Sequence, residues 1–150
     1  MRKYTGEPYI VHPDEVAGIV ASVTDDQAMI AAAYLHDVVE DTAVSLDRVR
    51  ELFGDDVAGL VEMLTDVSKP EDGNRKARKA IDRNHTASAS PRAKTIKLAD
   101  LISNTASIVT HDAEFAKVYL AEKRLLLDVL REGDATLYAE ALRLVNLHQP

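Results

Sequence analysis

Apolar side chains recur every three or four residues along most of this chain, which is the spacing of one face of an α-helix. The first such segment follows Pro13, a residue suited to the first position of a helix. Six more segments repeat the spacing, and none alternates apolar and polar residues as a strand does. The pattern predicts an all-α, single-domain bundle of about seven to eight helices.

Cap and turn residues predict where several helices begin and end. Ser45 and Pro91 mark two starts, and Gly54 marks the end of the short helix that follows Ser45. A second helix is predicted over residues 25–41, with Thr24 as its N-cap. Its last turn carries an unusual number of ionisable side chains, so its course matters for the chemistry below.

Other boundaries are set by composition. His12 is predicted to stand just before the first helix. Residues 75–83 are basic and poor in apolar side chains, so they predict only one or two weak helical turns. Residues 112–132 predict a strong helix that ends near Gly133. The last segment, 135–148, could pack on the core or on a second subunit, which leaves a homo-oligomer open.

Composition narrows the classes of function. The 150 residues, 46% of them hydrophobic and 29% charged, fit one globular domain. No apolar run approaches the roughly 20 residues that span a bilayer, and no signal-peptide pattern opens the sequence, so the cytoplasm is the expected compartment. Without cysteine, a metal site must use histidine, carboxylate and water. The net charge of −7 argues against a nucleic-acid partner, but not against one small anionic ligand.

Four ionisable residues lie at the C-terminal end of the most apolar segment: His36, Asp37, Glu40 and Asp41. On an ideal helix they project at about 0°, 100°, 40° and 140°, so they share one broad face. Three carboxylates this close repel each other unless a cation or a shared proton relieves them. The adjacent histidine and aspartate offer nitrogen and oxygen ligands, which suit Mn, Fe or Zn. The alternative is a solvated helix end that carries ordinary surface charges.

A second polar stripe lies on the long predicted helix, where Lys97, Asp100 and Asn104 are about one turn apart. Asp100 is either a core carboxylate paired with Lys97 or a ligand. His12 is a third candidate, although a lone histidine is more often structural. The basic run is either a solvated face or a set of phosphate contacts, and it comprises Arg75, Lys76, Arg78, Lys79 and Arg83.

Four blocks in order, "GEPYIVHP", "LHDVVEDT", "FGDDVAGLVEMLTDVSK" and "KLADLISN", closely resemble the hydrolase domain of the RelA/SpoT enzymes, a branch of the HD phosphohydrolases. The resemblance covers most of residues 2–109. It implies one HD-type hydrolase domain over residues 1–150, with C-terminal helices within 112–147. Because the chain ends without a synthetase-like region, it resembles a stand-alone small alarmone hydrolase with the layout of the metazoan SpoT-like hydrolases.

The resemblance also implies a set of metal ligands. The family holds one metal ion, usually Mn²⁺, with two separated histidines, the aspartate of the His-Asp pair and a distant aspartate. These positions match His12, His36, Asp37 and Asp100. Fe, Zn or another divalent metal remains an alternative to Mn²⁺.

The remaining functional positions of the family concern the attacking water and the nucleotide. Glu40 and Asp41 match the acidic pair that acts on the water. Asn104 is expected near the ribose, and Arg2, with Lys3 beside it, near the purine. Other expected substrate contacts are Lys97, Arg75, Lys79 and Ser107.

The implied function is metal-dependent hydrolysis of the 3′-pyrophosphate of a guanosine alarmone such as ppGpp, giving GDP or GTP and pyrophosphate. The family usually has an arginine where this chain has Ala106, so adenosine alarmones (pppApp or ppApp) are an alternative substrate. Phosphate removal from NADPH would use the same site. A third alternative, from a different class, is a catalytically silent domain that binds nucleotide and signals. Retention of both Glu40 and Asp41 argues against it, because metal binding alone does not need them.

Overall fold

The computed structural model describes residues 11–148, and of Val11 the backbone only. Within that range the fold is all-α, as predicted, with eight helices of eight or more residues, one single-turn helix and one 3₁₀ turn at Pro70–Asp72. The helices are α1 (Val11–Ala21), α2 (Gln27–Leu35), α3 (Val38–Asp41), α4 (Leu46–Phe53), α5 (Asp55–Leu64), α6 (Arg75–Ala87), α7 (Pro91–His111), α8 (Ala113–Leu127) and α9 (Ala135–His148).

The long helix α7 is the centre of the bundle. It packs against α1, α2, α5, α8 and α9, and more than half of its 21 residues are buried. The helix α9 packs on α7 and α8, so the C-terminal segment covers the core of its own chain. Although α7 is long, neither it nor any other helix within residues 11–148 is apolar enough to cross a membrane.

Two predicted helix starts are confirmed, and one predicted cap is wrong. Ser45 caps α4, and Ser90 caps α7 with Pro91 at the first helical position. The cap of α2 is Asp26, not Thr24, because the Asp26 carboxylate accepts hydrogen bonds from the first free backbone N–H groups of the helix. Thr24 Oγ1 instead accepts a hydrogen bond from the Asp26 backbone N–H at 3.2 Å.

The predicted helix over residues 25–41 is in fact two helices with a break at His36 and Asp37. Asp37 has φ −105° and ψ 0°, which lies in the bridge region of backbone space rather than in the helical one. The projection angles of an ideal helix therefore do not hold across the break. The consequence is that His36 is buried and Asp37 half-buried at the break, whereas Glu40 and Asp41 belong to the separate turn α3.

Three other predicted boundaries are wrong. His12 lies inside the first turn of α1, not before it. The basic segment forms the 13-residue helix α6, although it lacks an apolar stripe. It is fixed by polar contacts instead: Asn74 caps its start, and buried Asp82 accepts hydrogen bonds from the preceding loop.

The helix α8 ends at Leu127, six residues before Gly133. The chain then turns so that Gly133 lies against α7, where a Cβ would be 2.7 Å from Leu98 Cδ1 and 3.1 Å from the Lys94 carbonyl carbon. The next backbone N–H, that of Asp134, donates to Thr95 Oγ1 at 2.9 Å. The glycine therefore marks a close approach to α7 and not the end of α8.

Candidate metal centre

Three parts of the chain meet at one buried cluster. His12 comes from α1, His36 and Asp37 from the break between α2 and α3, and Asp100 from the middle of α7. Each offers one ligand atom, and these four atoms lie within 4.8 Å of one another. The structure thus brings together the four residues that the sequence nominated as metal ligands.

The two histidines present the same ring nitrogen to the cluster. His12 Nε2 is 2.8 Å and His36 Nε2 is 3.2 Å from Asp100 Oδ1, and Asp37 Oδ2 is 3.0 Å from His36 Nε2. The opposite nitrogen of His36, Nδ1, is 2.6 Å from the Ala33 carbonyl oxygen, which can only accept. His36 therefore carries a proton on Nδ1 and can keep Nε2 for a ligand.

His12 is oriented by a longer relay. Its Nδ1 is 3.0 Å from Ser103 Oγ, and the Ser103 hydroxyl donates to Glu15 Oε2 at 2.6 Å. Because the hydroxyl proton is used on Glu15, Ser103 Oγ accepts from Nδ1–H of His12. Partners of this kind fix the ring and tautomer of metal-bound histidines. Sequence reasoning missed Ser103 and Glu15, although each stands three residues after a nominated ligand.

The cluster has the charge and donor chemistry of a divalent metal site. Burial lowers the pKa of His36, but the carboxylates of Asp100 and Asp37 outweigh burial and raise the pKa to about 11. Burial also acts to raise the pKa of Asp100, yet Lys97, His12 and His36 hold it well below its usual range. The site thus keeps an ionised carboxylate and attracts positive charge. Two nitrogen and two oxygen donors suit Mn, Fe or Zn, so the residues present fit such an ion.

Beside the cluster, Glu40 is held in place by the loop after α5. Its Oε1 accepts a hydrogen bond from the Asp66 backbone N–H at 2.9 Å. The residue as a whole is exposed, but its carboxyl group faces other acids. Desolvation, followed by the negative charges of Asp66 and Asp37, raises the pKa of Glu40 to about 7, although the Asp66 N–H and Lys97 act in the opposite direction. Asp41 follows on the same turn and is exposed.

The nominated substrate residues on α7 lie at different distances from the cluster. Lys97 Nζ is 3.5 Å from Asp100 Oδ2, and Asn104 Nδ2 donates to Asp100 Oδ1 at 3.1 Å. Ser107 is half-buried one turn beyond Ser103.

The other nominated residues lie on α6 or outside the described range. Arg75 donates to both carboxylate oxygens of Glu122, at 2.6 and 3.0 Å, and its guanidinium lies 5.1 Å from the centre of the Phe115 ring. Lys79 lines a small cavity that it shares with Lys97. Arg2 and Lys3 fall outside the residues that the structure describes.

A helical bundle that brings a His-Asp pair together with a second histidine and a distant aspartate has the architecture of an HD-type hydrolase. Comparison with known families agrees with this class. The family model of the HD domain matches residues 1–127, and the chain belongs to the HD domain family.

Individual relatives place the chain in the SpoT-like branch of that family. It is 53% identical over 68 residues to a probable guanosine-3′,5′-bis(diphosphate) 3′-pyrophosphohydrolase of Synechocystis, and this match covers 45% of this chain and 9% of that protein. It is 43% identical over 99 residues to the guanosine-3′,5′-bis(diphosphate) 3′-pyrophosphohydrolase MESH1 of Drosophila melanogaster. That match covers 65% of this chain and 54% of the fly protein. The chain thus spans about half the length of the Drosophila relative and a small part of the Synechocystis relative.

Two solved structures share the fold. One is described as a metazoan ortholog of SpoT that hydrolyses ppGpp and plays a role in starvation responses. It is 33% identical with a TM-score of 0.84, over 93% of this chain and 81% of that one. The other, lmo0812 from Listeria monocytogenes, is 26% identical with a TM-score of 0.78, over 97% and 98% of the two chains. The match to both structures extends well beyond the four sequence blocks.

Proposed function

We propose that this chain hydrolyses the 3′-pyrophosphate of a guanosine alarmone such as ppGpp, giving GDP or GTP and pyrophosphate. The observation that carries the proposal is the buried four-ligand cluster with Glu40 beside it. The names of the Synechocystis and Drosophila relatives, and the description of the metazoan structure, support the same substrate class for this chain. The proposed partner is the nucleotide alone, and the proposed compartment is the cytoplasm.

The proposed cofactor is one Mn²⁺ ion held by His12, His36, Asp37 and Asp100. The mixed nitrogen and oxygen donors and the fixed Nδ1 hydrogen bonds of the histidines support a divalent ion there. When bound, such an ion supplies Lewis-acid polarisation of a phosphoryl oxygen and makes a water more acidic. The preference for Mn²⁺ over Fe or Zn rests on the resemblance of the motifs to the RelA/SpoT hydrolases.

The proposed general base is Glu40. The water oxygen forms a bond to the phosphorus attached to O3′, the bond from that phosphorus to O3′ breaks, and O3′ departs with a proton from solvent. Glu40 takes the proton that the water loses. The Asp66 backbone N–H keeps the carboxyl group facing the cluster. Asp41, on the same turn, is proposed to orient the water.

Cations near the cluster are proposed to hold the substrate. Lys97 is close enough to Asp100 to contact a phosphoryl oxygen beside the ion. Asn104, already hydrogen-bonded to Asp100, is proposed to reach the ribose. The other proposed contacts are Ser107 on α7, Arg75 and Lys79 on α6, and Arg2 and Lys3 for the purine.

The test is release of pyrophosphate from purified protein incubated with ppGpp or pppApp, with and without Mn²⁺. We expect release from ppGpp only with the metal, and no release by Asp37→Ala, which removes a ligand. NADPH is a third substrate in the same assay, with inorganic phosphate as the product. Equal behaviour of the wild type and Asp37→Ala on all three nucleotides would contradict hydrolysis and favour a nucleotide-binding signalling domain.

A further inference from the structure

A small cavity lies behind the metal cluster, between α6, α7 and α8. Its volume is about 50 Å³, and a single water needs roughly 10–15 Å³, so it has room for several waters or one phosphoryl-sized anion. We call it the basic chamber. Its lining residues are Asp66, Lys79, Asp82, Arg83, Thr86, Lys97, Glu122, Lys123 and Leu126.

The basic chamber adjoins the candidate metal centre through two of its lining residues. Lys97 belongs to both, because its Nζ is 3.5 Å from Asp100 Oδ2. Asp66 also belongs to both, because its backbone N–H holds the Glu40 carboxylate. Lys97 therefore lies between a phosphoryl group at the metal cluster and one in the basic chamber.

The acids of the basic chamber are largely engaged with other groups. Asp82 accepts hydrogen bonds from the backbone N–H groups of Val67 and Ser68, both at 2.9 Å, and from the Ser68 hydroxyl at 2.7 Å. Glu122 is bound by both donor nitrogens of Arg75. Asp82 thus stabilises the loop before α6, and Glu122 connects α8 to the start of α6.

The cations are engaged far less. In the part of the chain that the structure describes, no ion pair joins Lys79, Arg83 or Lys123 to a carboxylate. The Lys123 ammonium lies 4.9 Å from the centre of the Tyr119 ring, which positions it over an aromatic face. Burial, together with the charges of Lys97 and Lys79, lowers the pKa of Lys123 to about 7. An anion between these lysines would relieve their repulsion.

We propose that the basic chamber receives the distal phosphoryl group of a pyrophosphoryl substrate, and that Lys123 with Lys79 makes the site prefer pyrophosphoryl to monophosphoryl groups. This proposal rests on the proposed function and concerns the substrate of the same site. The phosphorus bonded to O3′ lies at the metal cluster, and the second phosphorus occupies the basic chamber. Both leave together as pyrophosphate when the bond to O3′ breaks. A 2′-monophosphate, as in NADPH, leaves the basic chamber without a phosphoryl group.

The first test is calorimetric binding of inorganic pyrophosphate and of inorganic phosphate to the protein, with equal Mn²⁺ in cell and syringe. We expect Lys123→Met to weaken pyrophosphate binding about ten-fold, the size of one lost charge-assisted contact, and to change phosphate binding less than two-fold. Methionine keeps the length of the side chain over Tyr119, and Lys79→Met provides a second variant. Lys117→Met is the matched control, since Lys117 lies exposed on the same helix and pairs with Glu114.

The second test compares kcat/KM for ppGpp with kcat/KM for removal of the NADPH 2′-phosphate. Lys123→Met should lower the ratio about ten-fold, and Lys117→Met should leave it unchanged. If the wild type hydrolyses ppGpp but Lys123→Met keeps both the ratio and the pyrophosphate affinity, the basic chamber plays no such part, although the proposed function stands. If the wild type hydrolyses none of the nucleotides, the proposed function fails. The proposal for the basic chamber is decided separately, by the binding test: it is overturned if Lys123→Met binds pyrophosphate as tightly as the wild type does.

Discussion

Each histidine of the metal cluster uses Nδ1 in a fixed hydrogen bond and directs Nε2 towards Asp100. For His36 the fixed partner is the backbone carbonyl three residues earlier, which is present whatever the side chain at position 33. For His12 the partner is the Ser103 hydroxyl, backed by Glu15. The tautomer of His12 thus depends on two side chains that a substitution can remove.

Replacing Ser103 with alanine should therefore weaken metal binding without unfolding the protein. The loss of the relay leaves His12 Nδ1 without its acceptor and lets the ring adopt the other tautomer. We expect a 10- to 100-fold loss of Mn²⁺ affinity, the usual effect of removing such a partner. Calorimetric titration of metal-free protein with Mn²⁺ measures it. Thr110→Ala, which removes a hydroxyl that donates to the Ala106 carbonyl of the same helix, should bind the ion as the wild type does.

Glu40 offers a second prediction at this scale, because its pKa depends on a charge that can be removed alone. Asp66→Asn deletes the negative charge of that side chain but keeps the backbone N–H that holds Glu40. Since that charge raises the pKa of Glu40, the pKa should fall in the variant. Carbon NMR of the Glu40 carboxyl group, recorded on metal-free protein, should show a midpoint near pH 7 in the wild type and a lower one in Asp66→Asn. An unchanged midpoint would mean that burial alone sets the value.

The sequence alone raised each of the four residues as a candidate, but only the motif resemblance joined them into one set of ligands. An adjacent histidine and aspartate, such as His36 and Asp37, indicate a metal site by themselves. His12 is a single histidine, and its sequence neighbours do not indicate a metal site. Ser103 and Glu15 were missed for a physical reason. Their roles exist only where α1 crosses α7, and that crossing depends on packing over the whole bundle. Local periodicity does not determine it.

At the scale of elements, the sequence did not predict the break between α2 and α3, because a helical wheel assumes one continuous helix. A straight helix would keep His36 and Asp37 on one face with Glu40 and Asp41. With the bridge-region backbone at Asp37, His36 is buried and Asp37 half-buried, while Glu40 and Asp41 remain at the surface. No residue at the break is glycine or proline, so the sequence gives no breaking signal there.

The length of helix α6 was underestimated, again because the sequence carries no local signal for it. Its stability comes from Asn74 at its cap and from the hydrogen bonds of buried Asp82, not from an apolar stripe. Hydrophobic periodicity is the main signal for helices in a sequence, so a helix held by polar contacts is easily missed. The starts of α4 and α7, in contrast, were predicted correctly because Ser45 and Pro91 act locally.

Two glycines should respond to alanine in opposite directions. At Gly133 a new Cβ would stand 2.7 Å from Leu98 Cδ1 and 3.1 Å from backbone atoms of α7, so Gly133→Ala should destabilise the fold by about 1–3 kcal/mol. At Gly59, inside α5, a Cβ meets nothing within 4 Å, so Gly59→Ala should stabilise it by about 0.5–1 kcal/mol. Urea unfolding of both variants beside the wild type measures the two changes. Equal changes in the free energy of unfolding would show that α7 shifts to make room for the new Cβ at position 133.

Across the whole molecule, Arg92 ties three helices together at one end of the bundle. From the start of α7 its guanidinium donates to Asp26, the cap of α2, and to Asp56 in the first turn of α5, at distances of 2.7 to 3.0 Å. Burial alone would raise the pKa of Asp26, but the bond to Arg92 lowers it. The hydrogen bonds from Arg92 to Asp56 likewise lower the pKa of Asp56.

Arg92→Met should consequently destabilise the protein in a manner that depends on pH. A carboxylate whose pKa is depressed on folding stabilises the fold above its unfolded pKa, and that stabilisation is lost as the pH falls through the folded value. At pH 7 we expect the variant to melt about 2–4 °C below the wild type. The difference should shrink as the pH falls below about 4, the unperturbed pKa of aspartate. Thermal melts at pH 7, 5 and 3 test this, with the exposed Arg48→Met as control.

His12 and Asp100 are 88 residues apart along the chain and 2.8 Å apart in space. An ion that needs both can bind only after α1 has docked on α7, so the unfolded chain offers it no comparable site. Free metal then draws the folding equilibrium towards the native state, by about 2.7 kcal/mol when its concentration is 100 times the dissociation constant. In a cell short of the metal, more chains would be open to proteases at any moment. The supply of the ion would then set how much of the protein survives as well as how active each copy is.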